Sequence, residues 1–183
     1  MKNPQLLARV RQYLSLVGRR VKLKRYLGDG TDGAVWETNR GTAIKVFETP
    51  VGYANERDTY LRLGEYGVTN KLNEFWIPQM RGYDDDLQIV EMDLMQSPPF
   101  IIDFAKVKID RPPEFSEDVL EYHDKRGREQ FGDENWMAVQ RLMSALESFQ
   151  IYYLDPRPHN IVFPGYESGR SSVSRSPQSP DPS

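Results

Sequence analysis

The chain has 183 residues, 38% hydrophobic and 11% aromatic, which allows one domain or two small lobes around a real core. A formal net charge of −3 argues against a broad nucleic-acid surface; zero cysteines exclude disulfides and thiolate metal sites, and His123 and His159 alone are too few for a multi-histidine zinc site. No apolar run approaches a membrane span and no signal-peptide pattern opens the chain, so the expectation is a cytoplasmic protein with no nucleic-acid or membrane partner.

Residues 5–17 read as a helix, because Leu7, Val10, Leu14 and Val17 recur at helical spacing and Gly18 can end it. Arg9, Arg11, Arg19 and Arg20 give it a basic, solvated side. Residues 21–27 alternate and read as a strand. They lead into L-G-D-G-T-D-G-A-V-W-E-T-N-R-G-T-A-I-K-V-F, Leu27 to Phe47. Gly28, Gly30 and Gly33 fit G-x-G-x-x-G. β-Branched and aromatic residues then flank Asn39-Arg40-Gly41, which predicts strand, turn, strand. A dinucleotide fingerprint would need a helix straight after the last glycine, and a helix at 34–45 would favour an oxidoreductase.

The turn sets a register. A three-residue hairpin loop favours glycine at its left-handed position, and Gly41 supplies it. Thr38 then faces Thr42, Glu37 faces Ala43 and Val35 faces Lys45. Val35, Ala43 and Lys45 share one face, since strand side chains alternate. That small apolar surface suits an adenine ring, with the ammonium near its phosphates. An ordinary hairpin preceded by flexible glycines fits the same residues.

Thr49-Pro50 breaks the second strand and Gly52 adds slack. Residues 53–63 predict a helix with Tyr53, Ala54, Tyr60, Leu61 and Leu63 on its apolar side and Gly64 at its end. Glu56 lies in its first turns, where a carboxylate favours the helix dipole. Residues 64–86 read as loop and a short strand around Trp76-Ile77-Pro78, with Asp84-Asp85-Asp86 as a solvated turn. Residues 87–95 predict a strand. Ser97-Pro98-Pro99 marks a boundary between residues 1–96 and 97–167. Phe100 to Asp110 reads as extended and Arg111-Pro112-Pro113 as a breaker. Ser116 can cap a helix over 117–130, weakened by Gly127, with His123 on its surface. Residues 134–149 form the clearest helix, capped by Asp133, with Trp136, Val139, Leu142, Met143, Leu146 and Phe149 in one stripe. I-Y-Y-L-D-P-R-P-H-N-I-V-F follows at 151–163. Residues 168–183 have Val173 as their one apolar side chain and predict disorder.

G-x-G-x-x-G-x-V followed by Ala43-Ile44-Lys45 resembles the nucleotide-binding lobe of protein kinases. Asp155, Arg157, Pro158 and Asn160 fit D-x-[KR]-P-x-N and resemble the catalytic loop of that family. The resemblance covers residues 21–163. It implies an α+β, protein-kinase-like fold: an antiparallel-sheet N-lobe with one helix over 1–96, and a reduced, mainly helical C-lobe over 97–167. It implies ATP and Mg2+ as cofactors. The backbone of Gly28, Gly30 and Gly33 would cover the phosphates, with Val35 and Ala43 against the adenine. Lys45 would hold the α- and β-phosphates and pair with Glu56, Asp58 being the other acid on that helix. Hinge contacts would fall near Glu91, Met92 and Leu94. Asp155 would act as base, Arg157 would offset γ-phosphoryl charge and Asn160 would hold the metal. The acceptor would be a hydroxyl on a protein or small molecule, and a partner protein or second copy could complete the shortened lobe.

The departures bear on activity. Tyr153-Leu154 stands where the family has His-Arg, and Arg157 replaces a lysine with a planar fork. No Asp-Phe-Gly follows Asn160, and the acids beyond it, Glu167 and Asp181, have no such context. The activation segment and the later C-lobe helices are also missing. Loss of one such electrostatic group costs on the order of 100- to 1,000-fold in rate. Two functions follow: an atypical serine/threonine-type kinase, or a pseudokinase acting as a nucleotide-binding or protein-interaction module.

Overall fold

A computed structural model describes residues 4–18, 20–30, 32–101 and 103–165. Arg19, Glu167, Asp181 and the tail 168–183 lie outside the described residues. In chain order the elements are α1 (Pro4–Val17), β1 (Leu23–Gly30), β2 (Gly33–Thr38), β3 (Thr42–Phe47), α2 (Pro50–Glu65), β4 (Lys71–Leu72), β5 (Phe75–Trp76), β6 (Met80–Asp84) and β7 (Ile89–Asp93). Then come β8 (Phe100–Ile101), β9 (Val107–Ile109), α3 (Glu117–Phe131), α4 (Asp133–Glu147), β10 (Ile151–Tyr153) and β11 (Ile161–Val162). The fold is α+β. A five-stranded sheet runs β1-β2-β3-β7-β6, a four-stranded sheet β11-β8-β5-β4, and β9 pairs with β10. All pairings are antiparallel except β5 with β8.

Every residue of β3 is buried, because helices cover both faces of its sheet. Ile44 and Val46 pack with Leu6, Leu7, Val10 and Tyr13 of α1. Ala43 joins Val90, Met92 and the α2 residues Tyr53, Tyr60 and Leu63 on the other face. Arg9 is not a solvated charge: its Nε donates to the Leu87 carbonyl and its Nη1 to the Phe47 carbonyl, both at 2.8 Å. It ties α1 to the end of β3 and the turn before β7. The larger core cluster runs from Ala43 to Phe163, and the four-stranded sheet joins β4 and β5 to β8 and β11. Core and sheet therefore both span the expected boundary at 97.

α2 starts earlier than its apolar pattern suggests. Thr49 is the N-cap, with its hydroxyl accepting the Gly52 N–H at 3.2 Å, and Pro50 opens the helix where no N–H is needed. The turn ending it uses Gly67 (φ 74°) rather than Gly64; Gly67 N–H donates to the Gly64 carbonyl and Val68 N–H to that of Leu63. β6 occupies part of the stretch read as loop. Gly132, not Asp133, precedes α4, and Asp133 pairs with Arg128 at 2.9 Å.

Gly127 lowers the helix propensity of α3, yet it is the one buried residue of that helix. A Cβ there would overlap the Trp136 ring of α4. Asp124 completes the contact by accepting from Trp136 Nε1 at 2.8 Å and Gln140 Nε2 at 3.0 Å. Gly127→Ala should therefore destabilise the protein by about 1–3 kcal/mol through overpacking. The comparison is Gly64→Ala, which meets open space within a helix and gains propensity. Urea midpoints that rank the two variants the other way would refute this account. Among the described residues no helix is long and apolar enough to cross a membrane.

Candidate functional site

The site begins with the hairpin register. Val35 pairs with Lys45 and Glu37 with Ala43, while the hydroxyls of Thr38 and Thr42 lie 2.7 Å apart. Gly41 has the left-handed φ of 74° that the turn requires. Residues 34–38 and 42–45 are strand, so the helix needed for the dinucleotide reading is absent there. Gly28 pairs with Val35 and Gly30 with Gly33. At Gly33 (φ 150°) a Cβ would collide with the Val46 carbonyl, so that position needs glycine on two counts. Lys45 pairs in turn with Val90, and Ala43 with Met92. Val35, Ala43, Lys45, Val90 and Met92 thus share one face, beside the three glycines.

Lys45 is 6% exposed. Its Nζ lies 2.7 Å from Oε2 of the fully buried Glu56 and 3.2 Å from Oδ1 of Asp103. Asp58, the other acid on α2, pairs instead with Arg57. Burial pulls the Lys45 ammonium down, but Glu56 and Asp103 outweigh it and hold its pKa above the ordinary lysine value. Burial pushes the Glu56 carboxyl up to about 7, against the pull of Lys45. Glu56 Oε2 also accepts the Phe104 N–H at 3.4 Å, and its Oε1 has no hydrogen bond among the described residues.

Asp103 was not among the expected site residues. It opens the run Asp103-Phe104-Ala105, just after β8, where Ala105 N–H donates to its Oδ1 at 2.8 Å. Asn55 of α2 holds the same segment by donating to the Ala105 carbonyl at 2.9 Å. Phe104 packs edge-on between Tyr60 of α2 (5.4 Å between centroids) and Tyr153 of β10 (6.0 Å). The sequence signal was present: a short apolar strand followed by D-F-A. The family's order, however, puts an aspartate of this kind after Asn160, and here the run precedes it.

Strand pairing brings the second motif to Asp103. β8 pairs with β11, Ile101 opposite Ile161. Asn160 precedes Ile161 and Asp103 lies just beyond Ile101, so both occupy the same end of that ladder. Asp155 stands on the loop between β10 and β11. Asn160 Nδ2 donates to the Asp155 carbonyl at 3.0 Å and to its Oδ2 at 3.3 Å. Arg157 Nε pairs with Asp155 Oδ1, and Lys106 Nζ lies 3.3 Å from Oδ2. Burial, then the charges of Asp103, Asp155 and Glu56, push the Tyr153 phenol well above its ordinary pKa.

The expected hinge residues separate. Glu91 is buried on the α1 side, accepting from Tyr13 at 3.0 Å and Thr42 at 2.6 Å. Met92 lies in the core and accepts from the Tyr60 hydroxyl at 3.5 Å through sulfur. The Leu94 N–H donates to the Gly41 carbonyl at 3.2 Å, so it is already engaged within the protein. Asp84 and Asp85 are also engaged, with the Leu87 N–H and with Tyr53 and Arg57 respectively.

Chemically, the arrangement offers a buried ammonium suited to a polyanion, two hard oxygen donors in Asp103 and Asn160, and a carboxylate, Asp155, within the same region. Among the described residues no three Asp, Glu or His side chains form a metal cage. Mg2+ does not need one, since it is held by one or two carboxylates together with substrate phosphates. Compared with known proteins, the chain matches no protein-family model and no curated protein.

Proposed function

We propose that this chain has a kinase-like fold, binds Mg·ATP and transfers its γ-phosphoryl group to a hydroxyl. The observation that carries this reading is Lys45 held between Glu56 and Asp103, at 2.7 and 3.2 Å, with Asn160 and Asp155 on the adjoining ladder end and loop. Lys45 grips the α- and β-phosphates and Glu56 fixes its direction. Val35 and Ala43 floor the adenine, and the backbone from Gly28 to Gly33 covers the phosphates. Asp103 takes the place of the Asp-Phe-Gly aspartate, although it precedes Asn160 in the chain; together they would hold Mg2+, which offsets charge on the phosphates. Asp155 accepts the proton of the acceptor hydroxyl as the new O–P bond forms and the bond to the ADP oxygen breaks. Arg157 offsets charge on the moving group. Tyr153 replaces the family's histidine and packs on Phe104.

One observation favours a second reading, nucleotide binding without transfer: both oxygens of Asp155 already face cations. Thermal unfolding with ATP, with and without magnesium, tests the binding. A ligand at about 100 times its Kd adds roughly 2.7 kcal/mol of stability. A magnesium-dependent rise supports the kinase reading, and a rise indifferent to magnesium supports the second. No rise at saturating ATP would remove both.

A further inference from the structure

Asp155 carries two cations, and only Arg157 belongs to its own loop. Lys106 comes from the other side, directly after Asp103-Phe104-Ala105. Its backbone is pinned, since the Leu154 N–H donates to the Lys106 carbonyl at 3.0 Å and β9 pairs with β10 from Val107 onward. Its side chain is 41% exposed, so Nζ can swing while its base stays fixed.

From this geometry we infer that Lys106 selects the acceptor: a hydroxyl compound bearing a phosphate or carboxylate beside the hydroxyl. The inference rests on the kinase reading, in which Asp155 receives the acceptor. A hydroxyl arriving at Asp155 competes with its cations for the carboxylate oxygens. Lys106 holds the longer contact, 3.3 Å, and yields first. A neutral acceptor leaves the displaced ammonium with no counter-charge. An anionic acceptor gives it a new one, and the half-exposed Arg157 fork flanks the same carboxylate. Lys108, two positions on and within β9, is an exposed second cation on this segment. Lys106 is thus a specificity residue and not the base.

The test is titration of the full chain with inorganic phosphate and, separately, acetate, followed by calorimetry. It is run with and without a saturating non-hydrolysable Mg·ATP analogue, on wild type, Lys106→Met and Lys106→Arg. Phosphate or acetate should bind with the analogue present. Lys106→Met should weaken that binding about 10- to 100-fold, the loss of one charge-assisted contact. Lys106→Arg should restore it. The tighter of the two anions identifies the acceptor as phosphate- or carboxylate-bearing. Anion binding that ignores Lys106→Met, that the analogue competes away, or that neither anion shows would overturn the inference. Failure of the analogue itself to bind strikes the nucleotide reading instead, and the anion titrations of the free protein still report on Lys106. Unchanged melting of Lys106→Met confirms a folded variant.

Discussion

Lys45→Met should melt at the same temperature with and without Mg·ATP, while the wild type gains its magnesium-dependent rise. The variant also changes intrinsic stability, in a way that depends on pH. Breaking a buried ion pair costs about 3–5 kcal/mol when the surviving group keeps its charge. Glu56 need not keep it. Burial already raises its carboxyl to about 7 with Lys45 present, and removing Lys45 raises it further. Between the unfolded value of 4.5 and that folded value, the folded chain holds a proton that the unfolded chain has lost. That contribution is complete below the unfolded pKa and drains away as pH rises through the folded one. The variant should therefore lose little stability in mild acid and most in mild alkali, read as urea midpoints. Lys45→Met/Glu56→Leu removes both charges, so it should recover stability and still ignore ATP. An ATP response in either variant would place the nucleotide elsewhere.

Asp103→Asn should separate nucleotide binding from its dependence on magnesium. The amide keeps the size and can still accept the Ala105 N–H, while Lys45 retains Glu56. ATP should still raise the melting temperature, but equally with and without magnesium. Phosphoryl transfer should fall about 100- to 1,000-fold, the usual cost of one missing electrostatic group in a transition state. Asp58→Asn is the control, since that half-exposed acid on α2 pairs with Arg57 and not with Lys45. Magnesium dependence that survives Asp103→Asn would show that the metal has other ligands.

The parts of the site that were legible in sequence are those fixed by local rules. Gly41 determines the turn, the turn determines the register, and the register puts Val35 opposite Lys45. Glu56 follows from its place on the next helix. Asp103 did not follow, because its contact with Lys45 joins positions 58 residues apart and its place beside Asn160 depends on β8 pairing with a strand near the end of the described chain. Arg9 reads as solvated because nothing local shows that two carbonyls at the ends of interior strands wait for it. Gly127 read as a weakness because its value lies in the Trp136 ring, which sequence alone does not place. Gly64 and Gly67 are both good helix terminators, and only the hydrogen bonds of the turn distinguish them. β6 mixes glycine, arginine and aspartate, so its strand character comes from pairing with β7 rather than from composition.

The β8–β11 ladder also bears on connectivity. Val162 sits opposite Phe100 in an antiparallel pair, so the end of β11 and the start of β8 are neighbours. A tight turn could join them. If the chain were cut in the exposed stretch before α3, the second half would become a circular permutant with its pairings unchanged. In that permutant Asp155 and Asn160 would come first and Asp103-Phe104-Ala105 would follow directly, which is the order the kinase family uses. The natural order differs from it by one rewiring. A site of this kind is defined by which strand ends meet, and the chain can visit those ends in either order.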